Sequence, residues 1–498
     1  MRQLPWLTIL VFWPLAAAAA MALVRHSRQA CRRFALGAAL VELALAALVV
    51  LLFAAGRPEL PVTEDVAWIP SLGIRYTLTC DGLSLVFVVL TAVIGVCCML
   101  CSRSDDAKRP ALYHALILAS LATVQGVFMA TDLFLFALFW EAQLIPVFFL
   151  IGIFGHGERM RVAIKFFLFS AVGGLLMFLA VITLGIFAAE LPDGPSFALY
   201  DLTRLGLPVT TARWLFAAFA LSFAIKIPLV PVHMWLPDAH TEAPTAGSLI
   251  LAGLLLKTGG YALIRFALPL FPEAAAAFAP ALTVLGLAGL FYASAVALAQ
   301  EDVKRLIAYS SIGHMGLAVA AIVSGSRLAL GGAVVLMVSH ALTSGGLFAQ
   351  AGMIGERLGS RRFEILGGLW NKAPGFGAAF LFCILAAAAL PGLSGFVGEA
   401  MMIFGLFKVD ALAGCFAVAG MAATLIYLLR LARDTLFGPA RSDLPFPDFD
   451  ARETALLVSL ALAILWLGLF PSPVLELIKG PLDAIAGHVW PAAAGAGL

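Results

Sequence analysis

Charge is what this sequence has least of. Only 12% of its 498 residues are Asp, Glu, Lys or Arg, about half the ~25% of an ordinary soluble domain. The net charge of +2 is small and scattered, which excludes the concentrated basic face of a nucleic-acid binder. Cysteine is scarce as well: Cys31, Cys80, Cys97, Cys98, Cys101, Cys383 and Cys415. Cys98 and Cys101 form a lone C-x-x-C at the end of an apolar helix, without the second pair that a zinc or iron–sulfur site needs. They read as small packing residues, so neither a metal nor a redox cofactor is expected in this chain. Long polar stretches are missing too. The longest loops, Ala54–Thr79 and Glu190–Thr211, are too short for a core of their own.

What fills the chain is apolar surface, 62% of all residues. The fold class that follows is an all-α polytopic membrane protein. Hydropathy predicts about 14 transmembrane helices, at 4–24, 35–55, 79–101, 111–130, 132–154, 163–189, 212–236, 245–270, 276–299, 304–323, 328–354, 376–407, 411–437 and 452–471. A last stretch, Val474–Ala486, is too mixed to span and is expected along the surface. The first span has an apolar run longer than a signal peptide's and is followed by Arg25, Arg28, Arg32 and Arg33, the pattern of a span and its anchor. Counted in alternate loops, that cluster shares one side with Arg103, Lys108, Arg109, Arg159, Arg161 and Lys165. Arg2, Arg57 and Arg75 fall on the other, poorer side. By the positive-inside rule the rich side is cytoplasmic and both termini face outward. In a bacterium the expected location is the cytoplasmic (inner) membrane.

Against this background the charges inside spans stand out. The stretch Ser222–Gly260 carries Lys226 and Lys257, with Pro228, Pro231, Pro237 and Pro244 between them. A lysine at bilayer depth costs about 2.5–3.5 kcal/mol on insertion scales. Proline in a span frees carbonyls that only protein or trapped water can satisfy. Glu141, His340 and Glu399 also lie deep within spans, and His314 lies about a third of the way into the tenth. Glu42 and His114 lie nearer span ends. Glu141 could be a neutral packing tie, but a polar uncharged residue would make that tie more cheaply, so it is read as the partner of Lys226. Lys226 lies too far from an interface to snorkel readily. Lys257 has apolar neighbours all round, and Thr258, Gly259 and Gly260 after it would loosen its helix. It reads as a site that gains and loses a proton. A lone histidine such as His314 is often a satisfied core residue, but imidazole also passes protons between its nitrogens. Asp238, His240 and Glu242, with His233, lack ordinary metal-ligand spacing and read as an interfacial turn.

A second interrupted helix lies five spans after the first. LPGLSGFVGEAMMIFG sets Pro391, Gly392, Gly395 and Gly398 beside Glu399. Five is odd, so two consecutive five-helix units would be inverted, with discontinuous helices 7 and 12 at the site. The expected organisation is 1–110 for spans 1–3, 111–270 for the first repeat (spans 4–8), 271–440 for the second, inverted repeat (spans 9–13), and 441–498 for span 14 with the surface segment.

FWEAQLIP, KIPLVPVHMWLPDAHTEAPTAGS, LLLKTGGYALIRF, KRLIAYSSIGHMG and LSGFVGEAMMIFG resemble the antiporter-like membrane subunits of proton-pumping NADH:quinone oxidoreductase, respiratory complex I. The resemblance covers essentially the whole chain. It is closest to the M type, which carries glutamate on the second broken helix and lacks the long C-terminal lateral helix of the L type. The resemblance implies a carboxylate–lysine pair at Glu141 and Lys226, a central lysine at Lys257, His340 with His314 as contributors, and Glu399 as the terminal residue. It also implies a chain without its own redox centre, beside membrane-arm partners and subunits carrying flavin and iron–sulfur clusters. Met234 is a departure in the helix 7 motif. Two transporter readings stand beside it: a multisubunit Na⁺/H⁺ antiporter, and a membrane-bound hydrogenase or formate-linked complex. A structural scaffold is the third, and it leaves the cost of the buried charges unexplained.

Overall fold

The computed structural model describes residues 4–25, 27–55, 62–101, 106, 108–192 and 194–491. Arg2, Arg57 and Arg103 of the charge count lie outside them. Among the described residues, 13 helices are long and apolar enough to cross a membrane. In order they are Trp6–Leu23, Arg28–Ala55, Gly82–Cys101, Pro110–Met129, Leu133–Phe154, Arg159–Ala188, Val209–Lys226, Thr245–Leu270, Pro272–Leu298, Val303–Val323, Arg327–Leu358, Ala411–Leu436 and Ala451–Leu469. The remaining predicted span, the twelfth, is two shorter helices, Pro374–Ala387 and Ser394–Val409, separated by a break. Keeping the sequence numbering, spans 8, 10 and 11 are buried along almost their whole length. They form the centre around which the others pack.

One feature departs from the sequence expectation. Within the loop predicted between spans 2 and 3, Val62–Ile69 and Ile74–Cys80 pair as an antiparallel hairpin. The reason is local: β-branched and aromatic residues suited to strands flank a turn in which Gly73 takes a φ of +70°. Across the hairpin, Arg75 donates twice to Asp65, at 2.7 and 2.6 Å. These bonds hold the Asp65 carboxyl below the ordinary carboxylate range. The surface segment, in turn, is a regular helix, Ser472–Val489, whose Val474, Ile478, Leu482 and Ile485 are buried at helical spacing. It lies against spans 3 and 11.

Span 2 begins seven residues before the expected limit, because its arginines have a partner. Arg28 Nε and Arg32 Nε donate to Asp106 at 2.8 and 2.7 Å, and His114 Nε2 lies 3.3 Å from the same carboxylate. Burial works against the Asp106 charge, but the hydrogen bonds from His114, Arg32 and Arg28 outweigh it and hold its carboxyl well below the usual range. A depressed carboxyl contributes stability above its unfolded range and loses it as pH falls. This clamp is therefore complete at neutral pH and released only in strong acid. Glu42 is also not near a span end. It sits mid-way along Arg28–Ala55, fully buried, and accepts from Gln125 Nε2 at 2.9 Å.

At the opposite end of the bundle, Arg265 of span 8 donates to Asp81, before span 3, at 2.6 Å and to Tyr261 Oη at 3.2 Å. The two side chains are only 12% and 19% exposed. Breaking one side of such a pair leaves an uncompensated charge, at a cost of about 3–5 kcal/mol. Arg265→Leu is therefore expected to lower the unfolding midpoint strongly, and adding Asp81→Asn should recover most of the loss. Thermal unfolding of the purified variants checks both.

Candidate functional site

The site is built from interruptions in helices. In span 5, Pro146 has no N–H for the carbonyl of Ala142, and the helix divides there into Leu133–Ala142 and Leu144–Phe154. Glu141 sits on the first piece, one residue from the division. In span 7 the helix stops at Lys226, runs through Pro228 and Pro231 without regular structure, and resumes as Leu236–Glu242, with Pro237 in its first turn. The freed carbonyl of Ile225 accepts from the Trp235 indole Nε1 at 2.8 Å. Span 12 repeats the device. Pro391 and Gly392 (φ +92°) lie in its break, and the carbonyl of Ala387, at the end of the first half, lies 3.3 Å from His314 Nε2. Gly395 and Gly398 fall just inside the second half. Gly398 lets that half pack directly on span 11, since a Cβ there would meet Leu336 N at 2.6 Å.

Lys257 in span 8 is fully buried. The loosening expected at Thr258–Gly260 lies elsewhere: wide π-helical turns, Leu251–Leu255 and Leu263–Ala267, sit before and after the lysine. Such turns are common at functional positions. Lys257 Nζ donates to the carbonyl of Ala252 in the first of them and meets His340 Nδ1 at 2.7 Å. From His340 the line continues. Its ring lies 5.6 Å, centroid to centroid, from His314, and His314 Nε2 lies 3.4 Å from Glu399 Oε1. His314 Nδ1 donates to Ser310 O at 2.8 Å, and Ser310 Oγ accepts from Tyr427 Oη at 2.8 Å. The nitrogens of His314 thus face Ser310 O on one side and Ala387 O with Glu399 on the other. A cavity of about 10 Å³ lined by Ser310, His314, Ser339, His340, Ser344 and Glu399 lies among them, room for about one water.

Glu141 and Lys226 are placed together less closely than the sequence suggests. Glu141 Oε1 and Lys226 Nζ are both buried, and neither makes a hydrogen bond. Among the described residues no ion pair joins them, although each lies in the other's electrostatic field. The Glu141 carboxyl rests on Gly174, where a Cβ would stand 1.5 Å from its Oε1. The Lys226 ammonium lies 5.1 Å over the Trp140 ring, a cation–π contact. Span 8 crosses next to the break, with Gly259 against Phe223 O and Ile227.

The expected turn at Asp238–Glu242 is a short helix, and its polar residues point apart. Asp238 pairs with Lys165 at 2.7 Å, and Glu242 reaches Gly157. His240, expected at an interface, is instead fully buried and stacked on Phe348 at 4.3 Å. Neither of its nitrogens has a hydrogen-bond partner. Its place on the half-helix that follows the first break is the signal that sequence offers for this burial.

Comparisons with known proteins agree on one family. Residues 130–426 match the family model described as NADH:quinone oxidoreductase/Mrp antiporter, transmembrane. The chain is 43% identical over 436 residues to NADH-quinone oxidoreductase subunit M of Pseudomonas aeruginosa, covering 86% of each. It is 40% identical over 430 residues to the protein of that name from Escherichia coli (strain K12), covering 85% of this chain and 84% of the relative. Among solved structures, a chain of respiratory complex I from Thermus thermophilus with bound NADH superposes with a TM-score of 0.88 at 30% identity, over 98% of this chain and 100% of that one. A chain of the Mrp complex from Dietzia sp. shares the fold at 24% identity, with a TM-score of 0.81 over 97% of this chain and 52% of that one.

Proposed function

The chain belongs to the NADH:quinone oxidoreductase/Mrp antiporter family as an M-type, multi-pass membrane-arm subunit of complex I, and we propose that it moves protons along Glu141, Lys226, Lys257, His340, His314 and Glu399. The observation that carries this route is the contact of Lys257 Nζ with His340 Nδ1 at 2.7 Å, continued by His314 against Glu399 at 3.4 Å. A charged lysine donates to the imidazole nitrogen, the proton leaves from the other side of the ring through His314, and Glu399 accepts it. Redox chemistry belongs to partner subunits carrying flavin and iron–sulfur clusters, and this chain supplies the buried titratable line. We place both termini on the outer side and read spans 4–8 and 9–13 as the inverted halves. The two breaks support that reading, since in each a side-chain N–H lies against a carbonyl freed at the end of the first half-helix.

The switch in this proposal is the open arrangement of Glu141 and Lys226. Two unit charges brought to about 4 Å at an effective dielectric of 20 gain about 4 kcal/mol. Driving a two-state equilibrium from 1:99 to 99:1 takes about 5.5 kcal/mol, so closing the pair supplies most of a switch. Closed, it holds the proton on Lys226; open, it releases the proton toward Lys257. Electron transfer in the partner subunits would set which state prevails. The relatives at 40% identity and above carry the subunit M name, which favours this reading over an Mrp-type antiporter.

Gly174→Ala tests the route without altering any charge. The added methyl occupies the position of Glu141 Oε1 and pushes a flexible carboxyl aside. Proton transfer in membrane vesicles is expected to fall several-fold, about 1 kcal/mol or more of barrier, while the complex assembles and oxidises NADH with an artificial acceptor. Undiminished proton transfer would show that the carboxyl position is immaterial and would overturn the role assigned to Glu141.

A further inference from the structure

Spans 2, 3 and 14 meet along a seam that takes no part in the relay. At the end where spans 2 and 14 begin, a surface cavity of about 580 Å³ is lined by Arg32, Arg33, Arg452 and Asp450, with Leu36 and Leu100 as its apolar wall. Arg33 is exposed and, among the described residues, has no ion pair. Arg452 reaches Asp450 and Glu453 only at 3.9 and 4.0 Å, and its buried Nε makes no hydrogen bond. Asp450 is occupied in capping span 14 through Glu453 N, at 2.8 Å. Arg32 is engaged by Asp106, so the guanidinium groups left facing the cavity are those of Arg33 and the loosely held Arg452.

Beyond the middle of the bilayer, these three spans, span 11 and the C-terminal helix Ser472–Val489 enclose a slot of about 310 Å³ walled by apolar side chains, among them Val50, Val86, Val89, Val93, Leu342 and Trp466. Both cavities border span 3, at different depths. Val89, Val93, Val96 and Leu100 are the half-exposed residues of an otherwise buried helix, spaced at one face. From Leu100 to Val89 is about 16 Å at 1.5 Å per residue, close to one leaflet's half of the ~30 Å hydrocarbon core. A cationic cavity at the membrane surface, continued for the depth of one leaflet by an apolar stripe that ends where the slot begins, has the shape and charge of a phospholipid site.

We propose that this seam binds one anionic phospholipid, its phosphate held by Arg33 and Arg452 and an acyl chain laid on the Val89–Leu100 stripe toward the slot. Basic pockets between membrane helices recognise anionic head groups in this way. The site is independent of the proton route, and its ligand ties span 14 to the N-terminal helices.

The test uses the purified whole complex, stripped of lipid in mild detergent and returned to bilayers of phosphatidylglycerol or phosphatidylcholine. Lipid retained on this subunit is read by native mass spectrometry. Wild type should retain phosphatidylglycerol with at least ~tenfold preference, about 1.4 kcal/mol. Arg33→Glu, at an exposed position, should abolish the preference. Val93→Phe, which narrows the slot, should reduce retention of phosphatidylglycerol and leave the preference in place. Equal retention of the two lipids by wild type, or unchanged phosphatidylglycerol binding in both variants, would overturn the proposal. So would a cross-link from Arg33→Cys to a neighbouring subunit lying in the seam.

Discussion

Lys257→Ala is expected to stop NADH-driven proton transfer in an assembled complex, with a loss of more than ~tenfold, or 1.4 kcal/mol of barrier per decade. The lysine is fully buried, and its polar contacts are His340 Nδ1 and the carbonyl of Ala252. Alanine leaves His340 Nδ1 with only the Ser344 hydroxyl, at 3.4 Å, and no ammonium at that depth to carry the proton onward. A folding defect is a poor rival explanation. No carboxylate pairs with Lys257 among the described residues, so its removal strands no counter-charge. It also relieves an insertion cost of about 2.5–3.5 kcal/mol. The variant should therefore insert and assemble at least as well as wild type. Blue-native electrophoresis checks assembly, and vesicle acidification checks transfer.

His314→Ala should be nearly as damaging, and the pattern of its double variant is more informative than its size. His314 stands between the His340 ring and Glu399 and also meets the carbonyl freed at the break of span 12. Alanine removes the step and opens the path at once. If His314 and Glu399 form one link, Glu399→Gln and His314→Ala should each cost about as much as the two together. Residues acting as a unit are non-additive in this way, whereas independent sites add. Fully additive losses in proton transfer would place His314 outside the path, as a structural cap of the helix end.

The intramembrane charges are legible in the sequence because their cost is legible. A lysine or glutamate amid apolar residues demands a reason wherever the bundle places it, and Glu141, Lys226, Lys257 and Glu399 stand out on that ground. The two breaks are equally plain, since Pro228, Pro231, Pro391 and Gly392 cannot continue a helix unperturbed. What periodicity cannot report is which helices become neighbours. The bridging place of His314 depends on spans 10, 11 and 12 meeting at one point, and a single histidine looks the same whether it bridges or packs. The depth of Glu42 is hidden for a related reason. The arginines before it extend span 2 only because Asp106, more than seventy residues away, accepts their hydrogen bonds. The separation of Glu141 from Lys226 is a matter of conformation, and sequence carries charge pairing without distance. The wide turns around Lys257 and the hairpin at Val62–Cys80 belong to local chemistry that hydropathy averages away.

The most direct measurement is the number of protons moved per NADH oxidised by the purified complex in sealed proteoliposomes, for wild type and for Lys257→Ala. A proton route through Lys257 predicts that the assembled Lys257→Ala complex still oxidises NADH with an artificial acceptor and moves no protons above the leak. A ratio equal to that of wild type in a correctly assembled variant would contradict it.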